Sequence, residues 1–173
     1  DNSEKIEDKV EGIDNYLNFA IPIILVILGW RFLYLNAKKI ATRSESKSLI
    51  DSIIKIIDEI DKEATNFWLS PRVENSMSHE HYLMLVMSKF EVLMSRIDDL
   101  EKRKVLIEKK KLSTYYSQLT LNCEFIDSIP ITECMNFTQS ALDSSRQIAS
   151  DLFNEFDKVY KPTYKISENF FFF

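Results

Sequence analysis

The chain has 173 residues, of which 45% are hydrophobic and 28% charged, and its formal net charge is -5. A length of this order suits one modest domain and not two large ones. The sequence contains only two glycines, Gly12 and Gly29, and four prolines. Tight β-turns and phosphate-binding loops depend on glycine, so this composition excludes a protein of many hairpins and a glycine-rich nucleotide site. It favours an all-α fold.

The charge pattern argues against a protein that binds nucleic acid directly. Lysines alternate with acidic residues along most of the chain, whereas an autonomous nucleic-acid binder carries a long basic surface. The main basic run, residues 102–104 and 109–111, is flanked by Glu101 and Glu108. It is typical of a solvated helix end or loop, with a phosphate-binding patch as the alternative. We expect no base-specific contact with nucleic acid.

A long apolar segment lies near the start of the chain, after an acidic tail formed by residues 1–15. Residues 16–35 would make about 30 Å of helix, which matches the hydrocarbon core of a bilayer. No charged residue occurs between Phe19 and Trp30. A signal peptide would have a basic flank, and a buried core helix seldom has so pure an aliphatic run beside basic residues. The segment is therefore predicted to be a transmembrane helix.

Particular residues of this segment are candidates for contacts in the membrane or in an oligomer. Arg31 is the one ionisable residue inside the apolar stretch, and it either snorkels to the headgroups, which we favour, or lines a pore. Trp30 and Tyr34 stand where an aromatic belt belongs, and Pro22 lies where a mild kink is tolerated. The candidate membrane and oligomer residues are Asn18, Pro22, Gly29, Trp30, Arg31, Tyr34 and Asn36.

A basic collar follows the apolar segment and predicts its orientation. The collar consists of Lys38, Lys39, Arg43 and Lys47, whereas only Lys5 and Lys9 precede the segment. The positive-inside rule then places the N-terminus outside the cell and the rest of the chain in the cytoplasm. In a bacterium the membrane would be the inner membrane.

After the membrane segment, apolar residues recur at alternating spacings of three and four, as in packed helices. The first such helix is expected to continue the membrane helix as far as Pro71, the second to begin after Ser78, and the third to lie between Pro130 and Pro162. A further helical stretch is expected to reach about Leu121. Residues 36–165 would form an antiparallel bundle. The three apolar series are Ile50, Ile53, Ile57, Ile60, Ala64 and Phe67; Leu83, Val86, Phe90, Leu93, Ile97 and Leu100; and Met135, Thr138, Leu142, Ser145, Ala149, Leu152, Phe156 and Val159. Residues 166–173, which end in four phenylalanines, are an apolar tail or the start of a second membrane segment.

No catalytic or metal-binding pattern stands out. The histidines of His79-Glu80-His81 are two residues apart and do not share a helix face. Asp58, Glu59, Asp61 and Glu63 are interpreted as the solvated face of a helix, and Cys123 and Cys134 as two reduced thiols. We therefore predict a protein that is not an enzyme and needs no cofactor or metal.

The segment after the apolar stretch reads NAKKIATRSESK from Asn36 to Lys47, and Phe67-Trp68-Leu69 follows downstream. With the preceding single span, this layout resembles small bacterial membrane proteins of phage-defence cassettes, in particular the transmembrane effectors that accompany some retrons. The resemblance covers roughly the first 70 residues. It implies an effector held inactive by a reverse transcriptase with its RNA–DNA product and released on phage attack to damage the inner membrane.

Three hypotheses about function follow. The first is a non-enzymatic effector of abortive infection that is restrained by a cytoplasmic protein or ribonucleoprotein and acts on the bilayer as a homo-oligomer. In such an oligomer Arg31, Asn18 and Asn36 would face one another or water and not lipid. The second is a membrane-tethered helical scaffold or sensor that recruits a cytoplasmic partner. The third is an enzyme subunit whose catalytic residues come from another chain.

Overall fold

The computed structural model describes residues 2–70 and 77–161, with side chains from Phe19 onward. Within these ranges the chain is helical and contains no strand, so the predicted all-α class is confirmed. The elements are α1 (Asn2–Leu69), α2 (His79–Glu101), α3 (Lys109–Thr120), a short 3₁₀ helix (Cys123–Ser128) and α4 (Ile131–Val159). The described residues divide into two units, with the boundary between Ser44 and Glu45. The predictions for Pro71, Pro162 and the tail 166–173 fall outside the described residues.

Local signals set most helix ends. The Ser78 hydroxyl accepts a hydrogen bond of 3.3 Å from the backbone N–H of His81, which caps α2 as predicted. Pro130 directly precedes α4. Its missing backbone N–H is tolerated there because the first N–H groups of a helix have no acceptor within the helix. Helix α2 ends at Glu101, directly before the basic residues 102–104. The two described residues with left-handed backbone are Lys104 (φ 68°) and Asn122 (φ 64°), and they make turns for which other chains use glycine.

The second unit is an antiparallel bundle of four helical segments, and contacts at both of its ends establish this topology. At one end, Glu45 of α1 pairs with Arg103 just after α2, and Ser46 bonds the hydroxyl of Tyr160 just after α4. At the other end, Phe67 of α1 stacks on Tyr82 near the start of α2, and Trp68 contacts Phe137 near the start of α4. Helix α3 returns antiparallel to α2, since the Tyr82 hydroxyl donates to the carbonyl of Leu119 and Lys109 pairs with Glu101.

The buried residues can be compared with the three predicted apolar series. The first is confirmed in full, because all six of its residues on α1 are buried. In the second, Leu83 and Phe90 are only half-buried, and Tyr82 takes a core position instead. The third is partly wrong, because Met135 is 56% exposed and Val159 39% exposed. The buried face of α4 is Cys134, Thr138, Ala141, Ser145, Ile148, Leu152 and Phe156.

The aromatic cluster where α1 meets α2 predicts a large stability effect. Phe67 is 2% exposed, and its ring lies parallel to that of Tyr82 with centroids 3.9 Å apart. Phe67→Ala should lower the free energy of unfolding by about 3–5 kcal/mol, because it removes buried area and leaves a cavity. Helical circular dichroism during thermal unfolding in detergent measures this effect. Met84→Ala, at a position 63% exposed, is the control, with an expected change within about 0.5 kcal/mol; equal losses for the two variants would contradict the assigned core.

Candidate membrane segment and the polar centre of the bundle

The apolar segment of α1 is exposed around its whole circumference. Its large hydrophobic side chains from Phe19 to Leu35 have exposed fractions between 51% for Ile21 and 80% for Trp30. The most apolar 18-residue window has a mean hydropathy of 1.8, and none of it is buried. By length and composition, α1 is the one described helix able to cross a membrane. Its backbone hydrogen bonds are internal, as a spanning segment requires.

Arg31 lies on an aromatic face of this segment. Ile27, Trp30, Arg31 and Tyr34 line one shallow depression, because residues three and four apart share a helix face. Arg31 is exposed and lies four residues before Leu35, about 6 Å along the axis. The guanidinium is thus one turn from the end of the apolar segment, beside two rings suited to the membrane interface.

The other candidate residues occupy a different face. Pro22, Gly29 and Asn36 are seven residues apart and therefore lie nearly in line along α1. A Cβ atom added at Gly29 would meet nothing within 4 Å, so this face is open. Arg31 is about 140° around the helix from Asn36 at 100° per residue. In a symmetric assembly of parallel helices, Arg31 and Asn36 therefore face different surroundings. Asn18 lies within α1, and its side chain is outside the described residues.

The collar residues Lys38, Lys39, Arg43 and Lys47 are all exposed on α1. The Thr42 hydroxyl donates a bond of 2.9 Å to the carbonyl of Lys38, an interaction that keeps this polar side chain on the helix surface. The collar begins three residues after the apolar segment. Four cations over about three turns of helix suit a surface of anionic headgroups.

A polar network that the sequence did not predict lies in the centre of the bundle. The carboxylate of Asp61 on α1 accepts bonds from the Tyr115 hydroxyl of α3 at 2.7 Å and from Ser145 of α4 at 2.6 Å. Asp61 is half-buried and opens on a shallow cleft between α1 and α4 that Asp58, Lys62 and Arg146 also line. The interpretation of Asp61 as part of a solvated face is therefore wrong. Glu59 and Glu63 also turn towards the protein, since both pair with Lys89.

Burial dominates the electrostatics of this network. Loss of solvation raises the pKa of the Asp61 carboxyl above its usual value, and the hydrogen bonds from Ser145 and Tyr115 offset the increase only in part. Burial likewise raises the pKa of the Tyr115 hydroxyl, and the neighbouring Asp61 charge adds to that effect. Tyr115 therefore acts as a neutral donor, and Asp61 on α1 accepts from both α3 and α4.

The remaining candidates for chemistry are dispersed. Cys123 and Cys134 are both buried, and no disulfide joins them. His79 pairs with its neighbour Glu80 at 3.1 Å. No group of three or more His, Cys, Asp or Glu side chains that would hold a metal occurs in the described part of the chain.

The chain was compared with protein-family models, with curated proteins and with solved structures, and none of them matches.

The exposed apolar segment predicts tight membrane association. Ile24→Asp combined with Ile27→Asp places two carboxylates in the middle of the segment, at a cost of about 2.5–3.5 kcal/mol each. The wild-type chain should remain in the membrane pellet after alkaline carbonate washing, and the double variant should move to the supernatant. Ile40→Asp is the matched control, because Ile40 is 70% exposed but lies in the collar; it should stay in the pellet. Release of the wild-type chain would contradict the prediction.

The raised pKa of Asp61 predicts a pH dependence of stability. Stability that comes from the protonated carboxyl is present below the usual pKa of about 4 and is lost as the pH rises through the raised value. Wild type should therefore lose stability relative to Asp61→Asn as the pH rises above about 4. Tyr115→Phe removes a donor to the carboxylate and should enlarge that loss, whereas Tyr116→Phe, outside the network, should not. Urea unfolding across this pH range measures the difference, and parallel curves for wild type and Asp61→Asn would refute it.

Proposed function

We propose that this chain is a non-enzymatic, membrane-anchored effector of bacterial anti-phage defence that acts on the inner membrane. Its helical bundle would bind a cytoplasmic protein or ribonucleoprotein that holds it inactive, such as a reverse transcriptase with its RNA–DNA product. The observation that carries the proposal is the exposed apolar surface of Phe19–Leu35 on a continuous helix. The likeness in layout to the transmembrane effectors of retrons supports the biological role.

Membrane insertion is the first step of the argument. The 17 residues from Phe19 to Leu35 make about 26 Å of helix, close to the thickness of a bilayer core. In water so large an exposed apolar surface is unfavourable, and lipid removes the penalty without requiring a protein partner. The basic collar after Asn36 favours an orientation with the bundle in the cytoplasm.

Permeabilisation needs a second step, because one helix with one cation opens no path for ions. Copies of α1 would associate, and the open surface at Gly29 allows two helices to approach closely. Arg31 lies well away from the Gly29 face. Its guanidinium would then be available to line a hydrated path or to draw headgroups and water inward.

The bundle offers a surface for the restraining partner. Four large apolar side chains remain exposed where α3 ends and α4 begins, with exposed fractions of 60% for Leu121, 58% for Phe125, 57% for Ile131 and 56% for Met135. Exposed apolar groups of this size are typical of protein contacts. A partner that covers them would keep the effector monomeric, and release of the partner would allow the membrane helices to associate.

Membrane potential measured during induced expression in bacteria tests the effector proposal. The wild-type chain expressed without its neighbours should depolarise cells, and Arg31→Leu should abolish depolarisation if that charge lines the conducting path. Arg31→Lys should retain part of the effect, and Lys55→Leu, which removes an exposed cation from the bundle part of α1, should retain all of it. Full activity of Arg31→Leu would leave Arg31 as a residue that reaches the headgroups.

The second candidate is a membrane-tethered scaffold or sensor, and the exposed apolar group around Phe125 and Ile131 favours it equally. The two functions differ in what they require of the membrane helix. Replacing residues 19–35 by a leucine–alanine helix of equal length preserves anchoring and removes Gly29, Arg31 and both interfacial rings. An effector should lose depolarisation in this variant, whereas a scaffold should recruit its partner to the membrane unchanged.

A further inference from the structure

The loop between α2 and α3, residues 102–108, holds one large apolar side chain out into solvent. Leu106 is 60% exposed, although its neighbours Val105 and Ile107 are only 1% and 8% exposed. The two buried neighbours fix the loop on the core, so Leu106 projects from a firmly held backbone. The backbone N–H of Val105 also bonds the carbonyl of Leu100, which closes the turn at the end of α2.

Positive charge surrounds Leu106. Residues 102–111 contain six basic side chains and one acidic side chain, Glu108, for a net charge of +5. Four of the cations pair with acids: Lys102 with Asp99, Arg103 with Glu45, Lys109 with Asp98 and Glu101, and Lys111 with Asp151. Lys104 and Lys110 are exposed and have no acidic partner among the described residues. An apolar side chain between unpaired lysines has the chemistry of a contact with anionic lipid.

Chain connectivity keeps this loop near the bilayer. Arg103 in the loop pairs with Glu45 at 2.9 Å. Only nine residues separate Glu45 from Leu35, the last residue of the apolar segment, so the chain holds these two residues within about 35 Å even when fully extended. A tethered contact needs little affinity of its own, because the tether raises the effective concentration of the lipid surface.

We propose that the α2–α3 loop is a second membrane contact, in which Leu106 enters the headgroup layer and Lys104 and Lys110 bind anionic lipid headgroups. The inference rests on the proposed anchoring of residues 19–35, because the anchor brings the loop to the bilayer. The contact holds the bundle against the membrane surface. Anionic lipid content would then control how freely the bundle moves away from the bilayer.

Environment-sensitive fluorescence on the full chain in nanodiscs tests the contact. A nitrobenzoxadiazole dye is attached to Leu106→Cys, and the matched control is Met84→Cys, whose native side chain is 63% exposed but lies near the start of α2, at the opposite end of that helix from the loop. The wild-type chain should take no dye because both native cysteines are buried. In discs containing phosphatidylglycerol, the dye at position 106 should shift to the blue and be quenched by spin-labelled lipid. The dye at position 84 should report water.

Charge variants separate lipid recognition from simple proximity. Lys104→Gln and Lys110→Gln should each lower the ratio of inserted to free loop about fivefold, and Lys55→Gln, an exposed lysine of α1, should not. Discs of phosphatidylcholine alone should give little insertion. Equal signals at positions 106 and 84, or insertion that is unaffected by lipid charge and by both lysines, would overturn the proposal. If the chain failed to enter discs, the anchoring would be wrong, and binding of the same labelled chains to anionic vesicles would decide the role of the loop separately.

Discussion

The arrangement of apolar side chains around α1 changes along its length, and the rest of the structure depends on that change. From Phe19 to Leu35 they cover the whole circumference of the helix, whereas from Ile50 to Phe67 they form one buried face. A helix that is apolar on every side needs a solvent that is itself apolar, and a helix that is apolar on one side needs other helices. The single helix α1 therefore contains both an apolar segment suited to lipid and the first helical segment of the bundle. The charged and hydroxylated residues between them, from Lys38 to Lys47, match neither pattern and mark the transition.

Within the bundle, Asp61 links three helices through one carboxylate. Its partners Tyr115 and Ser145 lie 54 and 84 residues away in the sequence. Such a network adds little net stability, because the hydrogen bonds to the carboxylate must first compensate its lost hydration. It does constrain the relative positions of α1, α3 and α4, since any other register leaves a half-buried charge without donors. The bond between Ser46, which is fully buried, and Tyr160 constrains the end of α4 in the same way.

Local features of the sequence made the fold predictable, and distant contacts explain where prediction failed. The starts of α2 and α4 follow from Ser78 and Pro130, which act on their own neighbours. On α4 the predicted series is right at Thr138, Ser145, Leu152 and Phe156. It is one residue too far along at Met135, Leu142 and Ala149, because Cys134, Ala141 and Ile148 form an equally regular apolar series. Only the partner helices decide between two such faces. The role of Asp61 was missed for the same reason, since nothing near it in the sequence marks it as buried.

Helical periodicity separates two of the candidate membrane residues. That Arg31 and Asn36 lie on different faces follows from helical periodicity alone once the helix is established. The open surface at Gly29, by contrast, required coordinates. Residues 19–35 thus carry Gly29 on one face and, on another, Arg31 beside the rings of Trp30 and Tyr34.

The turn after α2 shows what scarcity of glycine entails. Lys104 has φ 68°, a left-handed conformation that disfavours lysine by roughly 1–2 kcal/mol relative to a right-handed one, whereas glycine adopts it at no steric cost. A glycine at this position would relax the backbone and delete a cation from the tip of the turn. Lysine at position 104 therefore costs backbone conformational energy and places an exposed positive charge on the turn. At position 104 an unstrained backbone would require glycine, whereas a positive charge at the tip of the turn requires lysine or arginine.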